Sequence, residues 1–363
     1  MRGPARFHLI GLAVFLLIGG NVLAFKIDPE VRPEAAFKDR YSVFLDHFLY
    51  PVHERMAAMS YLCAQNQQDG EPCPGDKGLK PPGFDGSEDL FHGTRWNDDP
   101  NNSFPSDHGV TWVFWMGDAD RLSRAKGIQK IDPLQYRSHY GDLQFLHAMA
   151  QKADRNAVTK ARILDWSHFA YAVAVGEIPP TAMLQSLSRD YPFVQNFAGL
   201  SKKRSWTVRR LFLNVEDYKG GELTGVADSS VPMIALGALL HTLQDSYSSS
   251  HTSRSFPATD DAAQSGSIQS FLDYAQQKSE CHSPSDLAVG WLVDGGTKAT
   301  DNPVYHGAWV VRRVLRKAPW TEVGPYLDSV YSVTDGMGLP TGGGFDDCPG
   351  TTTGPSVLSP GTG

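Results

Sequence analysis

Cysteine is scarce: Cys63, Cys73, Cys281 and Cys348 are the four in 363 residues. That excludes a small disulfide-built scaffold and leaves three possible pairings. Cationic charge is also short. Thirty-three Lys and Arg stand against 40 Asp and Glu, a formal charge of −7. Such a chain is not built as a general polyanion binder, although a local basic patch remains open to it. Beyond residue 24 no apolar run approaches the length needed to span a bilayer. Internal repeats are missing and sustained strand alternation is scarce, which excludes repeat architectures and argues against a β class.

What is present is ordinary globular composition, 41% hydrophobic and 20% charged, enough for a large core. Residues 1–24 have the layout of a signal peptide. Arg2 and Arg6 form a positive head, Leu9 to Ile18 an apolar run broken by Gly11, and Val22-Leu23-Ala24 a small-residue cleavage site. Export is therefore expected, with Phe25 as the first mature residue; the alternative is an uncleaved N-terminal anchor. Export permits disulfides. Cys63 and Cys73 lie close together in a Gly- and Pro-rich loop, so the expected pairs are Cys63–Cys73 and Cys281–Cys348; Cys281, next to His282, is alternatively a zinc thiolate. From Gly338 the chain turns to Gly, Pro, Thr and Ser, and residues 338–363 are expected to be a disordered tail. Residues 25–337 remain as one helical domain.

Helical periodicity dominates that stretch, and the predicted class is all-α. Helix is expected from Phe37 to Ala64 with a break at Pro51, as one or two long helices from Leu143 to Val175 ending at Gly176, in pieces from Met183 to Leu213, from Gln264 to Lys278, and from Pro303 to Lys317. Asn66 to Asp107 reads as loop and polar irregular chain. The run Val110 to Met116, VTWVFWM, is either a buried strand or helix segment or an exposed aromatic patch able to touch lipid. Lys202-Lys203-Arg204 and Arg209-Arg210 are most simply a solvated face.

The chain is organised around Val231 to Arg254, VPMIALGALLHTLQDSYSSSHTSR. Ile234, Leu236, Leu239, Leu240 and Leu243 recur at helical spacing behind Pro232. His241 and Asp245 are four apart and share a helix face, and His251 follows where the helix should end. Imidazole nitrogen with carboxylate oxygen is a ligand set for zinc rather than for magnesium or calcium. A lone pair of this kind is also common as a satisfied core contact, but His282 and Asp286 repeat the spacing. Further candidates are His53 at the head of HERMAAMSYLCA, whose small residues allow close packing, Asp98 in Trp96-Asn97-Asp98, and His147 in LHAMA.

Together these residues resemble the superfamily of bacterial zinc-dependent phospholipases C and fungal single-strand-specific nucleases. The motif His241-x-x-x-Asp245 followed by His251 matches the family's central motif in spacing. The family's Gly-Asp and its Pro before the last His are here Gln244-Asp245 and Ser249-Ser250. His282-x-x-x-Asp286, PVHERMAAMSYLCA, Trp96-x-Asp98 and Leu146-His147 resemble its other elements, in the family's order over residues 51–290.

The resemblance implies a multi-helix domain with long loops holding up to three zinc ions. Asp98, His147, His241 and Asp245 would hold one, His53 and Asp245 would share a second, and His251, His282 and Asp286 would hold the third. The family's N-terminal tryptophan ligand has no counterpart here, since His53 lies well inside the chain. Either a new N-terminus near Phe48 or a side chain such as His47 or Glu54 replaces it, or that site stays empty. Asp99 rivals Asp98; His108, His139 and above all His168 rival His147.

The implied activity is metal-assisted phosphodiester hydrolysis, with Asp245 bridging two ions, Asp98 orienting a water of lowered pKa, and Gln244 or Trp96 supporting the ligands. The substrate is phospholipid, which would entail peripheral contact with lipid, or nucleic acid, which would call for a cationic groove with stacking aromatics. The rival from another class is an exported helical binding protein with a structural zinc or none. The oligomeric state cannot be read from the chain.

Overall fold

The computed structural model describes residues 52–71, 73, 87–100, 110–151, 154–194, 197, 206–213, 228–255, 266–276, 301–334 and 336. Helices take up 63% of the described residues, which agrees with the expected class. They are α1 (Val52–Asn66), α2 (Ser87–Trp96), α3 (Val110–Lys126), α4 (Leu134–Tyr140), α5 (Asn156–Ala174), α6 (Leu184–Leu187), α7 (Val208–Leu213), α8 (Val231–Asp245), α9 (Pro303–Leu315) and α10 (Trp320–Val330). A 3-10 turn, Gln144–His147, lies between α4 and α5. Two short antiparallel strands, β1 (Thr252–Ser255) and β2 (Ser267–Phe271), pair with a bulge at Ser253/Arg254.

Helix α8 is the axis. Its residues are apolar on nearly every side, and a helix of that kind has to be enclosed. Ile234, Leu236, Leu239, Leu240 and Leu243 have no exposed surface, and α1, α2, α5, α7 and α9 all pack on it. Pro232 occupies the first turn, where its missing N–H costs no bond. The tightest contact is with α2. A Cβ on Gly237 would lie 2.3 Å from the Leu90 carbonyl oxygen, and one on Gly93 would lie 2.2 Å from the Ile234 carbonyl oxygen. The two helices therefore touch backbone to backbone. The small residues of α1 work in the same way: Ser60 fits against Gly307 of α9, with its hydroxyl donating to the Val304 carbonyl at 3.1 Å.

Behind α8, Trp166 of α5 stacks on Trp96 of α2, and Phe169, Phe193, Phe197 and Phe212 fill in around them. Cys63 and Cys73 form a disulfide, as expected. Nearby, Arg312 and Arg313 of α9 grip Asp69, fixing the chain that leaves α1. A polar knot joins the other end. His306 Nε2 lies 3.1 Å from Asp301 Oδ1, Tyr247 Oη donates to the same carboxylate at 2.8 Å, and the Gly266 N–H donates to Oδ2 at 2.7 Å.

Three expectations need correction. Ser87 to Trp96 is helix, not irregular chain: Leu90, Gly93 and Thr94 meet α8, but a glycine in that face hides the periodicity. Within the helix expected over Gln264 to Lys278, the described residues 266–276 form no α-helix; Ser267–Phe271 is strand, because Ile268 pairs on one side with β1 and bonds on the other to the chain after α10. The segment from Leu143 is interrupted at Ala148, whose φ of 49° ends the 3-10 turn before α5 begins. The helix expected to stop at Gly176 does so, with that glycine at φ +83°. VTWVFWM opens α3, burying Trp112 and Met116 and exposing Phe114. The segment expected to be a signal peptide, Phe37 to Pro51, Lys202-Lys203-Arg204, Cys281, Cys348 and the stretch 338–363 lie outside the described residues.

Two predictions follow from these contacts. Gly237→Ala favours helix by about 1 kcal/mol in isolation, but the added methyl meets backbone that cannot rotate aside. The clash wins, and a net loss of about 1–3 kcal/mol is expected in urea unfolding. Burial by itself would raise the Asp301 pKa; the hydrogen bonds from His306 and Tyr247 outweigh it and bring it down to about 2. A lowered carboxylate pKa stabilises the fold above the ordinary carboxylate range and ceases to do so as pH falls through about 2. Stability measured from pH 5 to pH 2 should therefore fall more steeply in the parent than in Asp301→Asn.

Candidate metal centre

Five buried histidines and two buried aspartates meet at the lower end of α8. His53 comes from the first turn of α1, Asp98 from the turn after α2, His139 from α4, His147 from the 3-10 turn, His241 and Asp245 from α8, and His251 from the turn before β1. The chain around them is wired by its own polar groups. Asn97 Nδ2 donates to the Leu146 carbonyl at 2.6 Å, and Thr242 Oγ1 donates to that carbonyl at 2.7 Å. The α2 turn, the 3-10 turn and α8 are thereby held in one register.

Each ring has one nitrogen on an amide oxygen. His53 Nδ1 faces Gln244 Oε1 at 2.6 Å, His139 Nδ1 the Gln135 carbonyl at 3.0 Å, and His241 Nδ1 the Thr94 carbonyl at 2.5 Å. His251 Nδ1 faces the His147 carbonyl at 2.7 Å, and His147 uses Nε2 instead, 3.1 Å from the Asn97 carbonyl. An oxygen of this kind can only accept, so it holds the proton on the nitrogen beside it. In a neutral ring the other nitrogen is then a bare lone pair, as in histidines that ligate metals.

Several of those second nitrogens converge. His147 Nδ1, His241 Nε2 and Asp245 Oδ2 form a triangle with sides of 2.9, 3.0 and 3.1 Å. Asp245 Oδ1 lies 3.3 Å from His53 Nε2, so this carboxylate faces both groups. Asp98 Oδ2 is 3.8 Å from His241 Nε2, and its Oδ1 is 3.5 Å from His139 Nε2. Ligands around a tetrahedral zinc lie about 3.4 Å from one another for bonds of about 2.1 Å. The rings of His53 and His241 stack at 3.9 Å.

The electrostatics also call for a cation. Among the described residues, neither oxygen of Asp98 has a hydrogen-bond donor in bonding geometry, although the residue has no exposed surface. Burial would raise its pKa, but the rings of His241, His139 and His147 hold it down to about 2. Asp245 is held well below the carboxylate range by His241 and His251 against the same effect of burial. Burial lowers His53, but Asp245 and Asp98 outweigh it and lift that ring to about 9. Burial dominates at His251, which drops to about 4, and also lowers His241 and His139. At His147 burial is again outweighed by Asp245 and Asp98, which raise that ring, so the two buried carboxylates draw positive charge onto the rings nearest them, a charge that a shared metal ion would supply in their place. Three groups of these residues can hold a metal ion: His53, Asp98 and His241; Asp98, His139 and His147; and His147, His241 and Asp245.

Of the residues named from sequence, the structure thus brings together His53, Asp98, His147, His241 and Asp245, with His251 alongside, its Nδ1 3.6 Å from Asp245 Oδ2. His282 and Asp286, with the rivals His47 and His108, lie outside the described residues. Asp98 rather than Asp99 faces the cluster. His168 stands apart, stacked on Trp320 at 4.4 Å beside a surface cleft. Glu54 is buried with Arg95 3.9 Å away and belongs to none of the three groups. Gln244 supports a ligand, whereas Trp96 donates to the Leu211 carbonyl in the core. His139 is the residue that ranking by neighbours undervalued. The available signal was Gln135, one helical turn before it, supplying a carbonyl, and His147 eight residues on.

Comparison with protein-family models, with curated proteins and with solved structures returned no match.

Gln244→Ala removes the oxygen that fixes the His53 tautomer. It is expected to weaken metal binding by about 10–100-fold while leaving the fold intact. Competition against a chromophoric chelator, with circular dichroism as the control, measures both.

Proposed function

We propose that this chain is an exported zinc-dependent phosphoester hydrolase acting on a phosphodiester. The observation that carries the proposal is the convergence of carbonyl-locked imidazole nitrogens on two ionised, buried carboxylates. That donor set, nitrogen with carboxylate oxygen, suits zinc better than calcium or magnesium. The Cys63–Cys73 disulfide supports an oxidising compartment, and among the described residues no helix is long and apolar enough to cross a membrane.

His147 Nδ1, His241 Nε2 and Asp245 Oδ2 would hold one ion, and His53 Nε2 with Asp245 Oδ1 would contribute to another. When bound, zinc supplies Lewis-acid polarisation of a phosphoryl oxygen and brings the pKa of water towards neutrality. The chain's own part is orientation. Asp98 Oδ2, ionised beside His241, is the acceptor that would aim a water in line with phosphorus. The residues around the triangle exclude bulk solvent, which strengthens every charge interaction inside it.

Phe114, 46% exposed on α3, offers a contact for a lipid surface. A second reading, a helical binding protein with a structural zinc, is favoured by the burial of all seven side chains, since structural sites are closed.

The test is hydrolysis of bis(p-nitrophenyl) phosphate, phosphatidylcholine vesicles and single-stranded DNA by the purified protein, before and after chelation. The expected result is cleavage that chelators abolish, that zinc restores, and that His241→Ala reduces at least about 100-fold. Stoichiometric zinc without turnover of any of the three would establish the structural site instead.

A further inference from the structure

We infer that His139 is a metal ligand, forming with Asp98 Oδ1 a cation position of its own next to the triangle of His147, His241 and Asp245. The inference rests on the metal reading above but not on the reaction assigned to it.

His139 lies on α4, away from the helix that carries the central motif, with its ring among those of Trp112, Tyr140, His147 and Tyr274. Its Nδ1 is 3.0 Å from the Gln135 carbonyl oxygen, one turn back on the same helix, and 3.0 Å from Ser138 Oγ. The Ser138 hydroxyl itself donates to that carbonyl at 3.0 Å. A carbonyl cannot donate, so the proton of a neutral ring belongs on Nδ1. Nε2 is then an acceptor, fully buried and without a hydrogen-bond partner among the described residues. It points at Asp98 Oδ1, another buried acceptor without a partner, 3.5 Å away.

Two acceptors aimed at each other in a dry interior repel unless something positive lies between them. A shared proton fits poorly. Moving it to Nε2 would turn the Nδ1 lone pair on the Gln135 carbonyl and oblige the Ser138 hydroxyl to leave that carbonyl for Nδ1. A doubly protonated ring would draw the carboxylate in to about 2.7–2.9 Å, the usual length of a charged hydrogen bond. A separation of 3.5 Å is instead close to the spacing of two ligands on one metal ion. His147 Nε2, 3.9 Å from the same Asp98 oxygen, completes this group only by giving up its present hydrogen bond. Its Nε2 is held by the Asn97 carbonyl and its Nδ1 belongs to the triangle. The position therefore has few ligands from the described chain and keeps coordination sites open, as a substrate-binding ion requires.

The experiment uses the full-length protein loaded with zinc and with cobalt(II). Metal content is measured in the parent and in His139→Gln, which keeps a polar side chain of similar size; circular dichroism confirms the variant's fold. The expected result is a variant that holds about one ion fewer per chain than the parent and loses part of the cobalt absorption, with the rest unchanged. Equal metal content in the two proteins overturns the inference, as does a parent that binds a single ion. Should the variant not fold, long-range nitrogen–proton spectra of the parent decide. Zinc should shift the His139 Nε2 resonance, and an unmoved resonance overturns the inference. A parent that loads both positions without hydrolysing any phosphodiester would sink the proposed reaction and leave this assignment standing. A parent that takes up no metal would sink both.

Discussion

Everything at the centre depends on the backbone contact between Gly93 and Gly237. With a side chain at either position, α2 and α8 could not approach as they do. That approach brings the Thr94 carbonyl within reach of His241, one turn along α8 from Gly237. It also lets Asn97 bond to Leu146 and to Thr242, so the turn carrying Asp98 and the turn carrying His147 are fixed to one helix. Two absent methyl groups thus set the distances among side chains that lie a full helical turn away.

On that frame the polar groups divide into two sets. The outer set is uncharged: carbonyls of Thr94, Asn97, Gln135 and His147, and the amide of Gln244. It spends its hydrogen bonds on one side of each ring. The inner set is what remains, lone pairs and carboxylate oxygens turned towards one another. Neither set is stable in a dry interior without the other, because rings free to flip would satisfy the carboxylates themselves. The Asp301 knot shows the contrast. Its carboxylate also sits beside a histidine, but donors from His306, Tyr247 and Gly266 reach it, and its charge is answered without an ion.

The sequence made the centre's axis visible because α8 obeys a simple rule. An apolar helix with His241 and Asp245 four apart can present them only on one face. The His53 helix was legible for a similar reason, its small residues announcing close packing. Helix α2 was not, since the glycine that makes its contact also lowers its apparent helix content. Strand β2 was invisible locally: Ser267 to Phe271 takes its conformation from partners at Thr252–Ser255 and after α10, which no window of sequence contains. His139 was obscured by the habit of judging a histidine by its immediate neighbours. Its partners are a backbone carbonyl one turn behind it and a carboxylate forty-one residues earlier.

The hydrogen bond between His53 and Gln244 joins residues 191 positions apart, and Ser60 bonds to Val304 across 244. Contacts of such span form only after the intervening chain has collapsed, since closing long loops costs entropy before any bond compensates it. The cluster therefore assembles late. A metal ion cannot serve as a seed for folding here, as it does in a zinc finger, whose ligands are near neighbours in sequence. An ion bound at this cluster would act instead as a final latch, selecting chains in which α1 and α9 have already found α8, so that metal supply would set the yield of finished molecules rather than the rate at which they begin to fold.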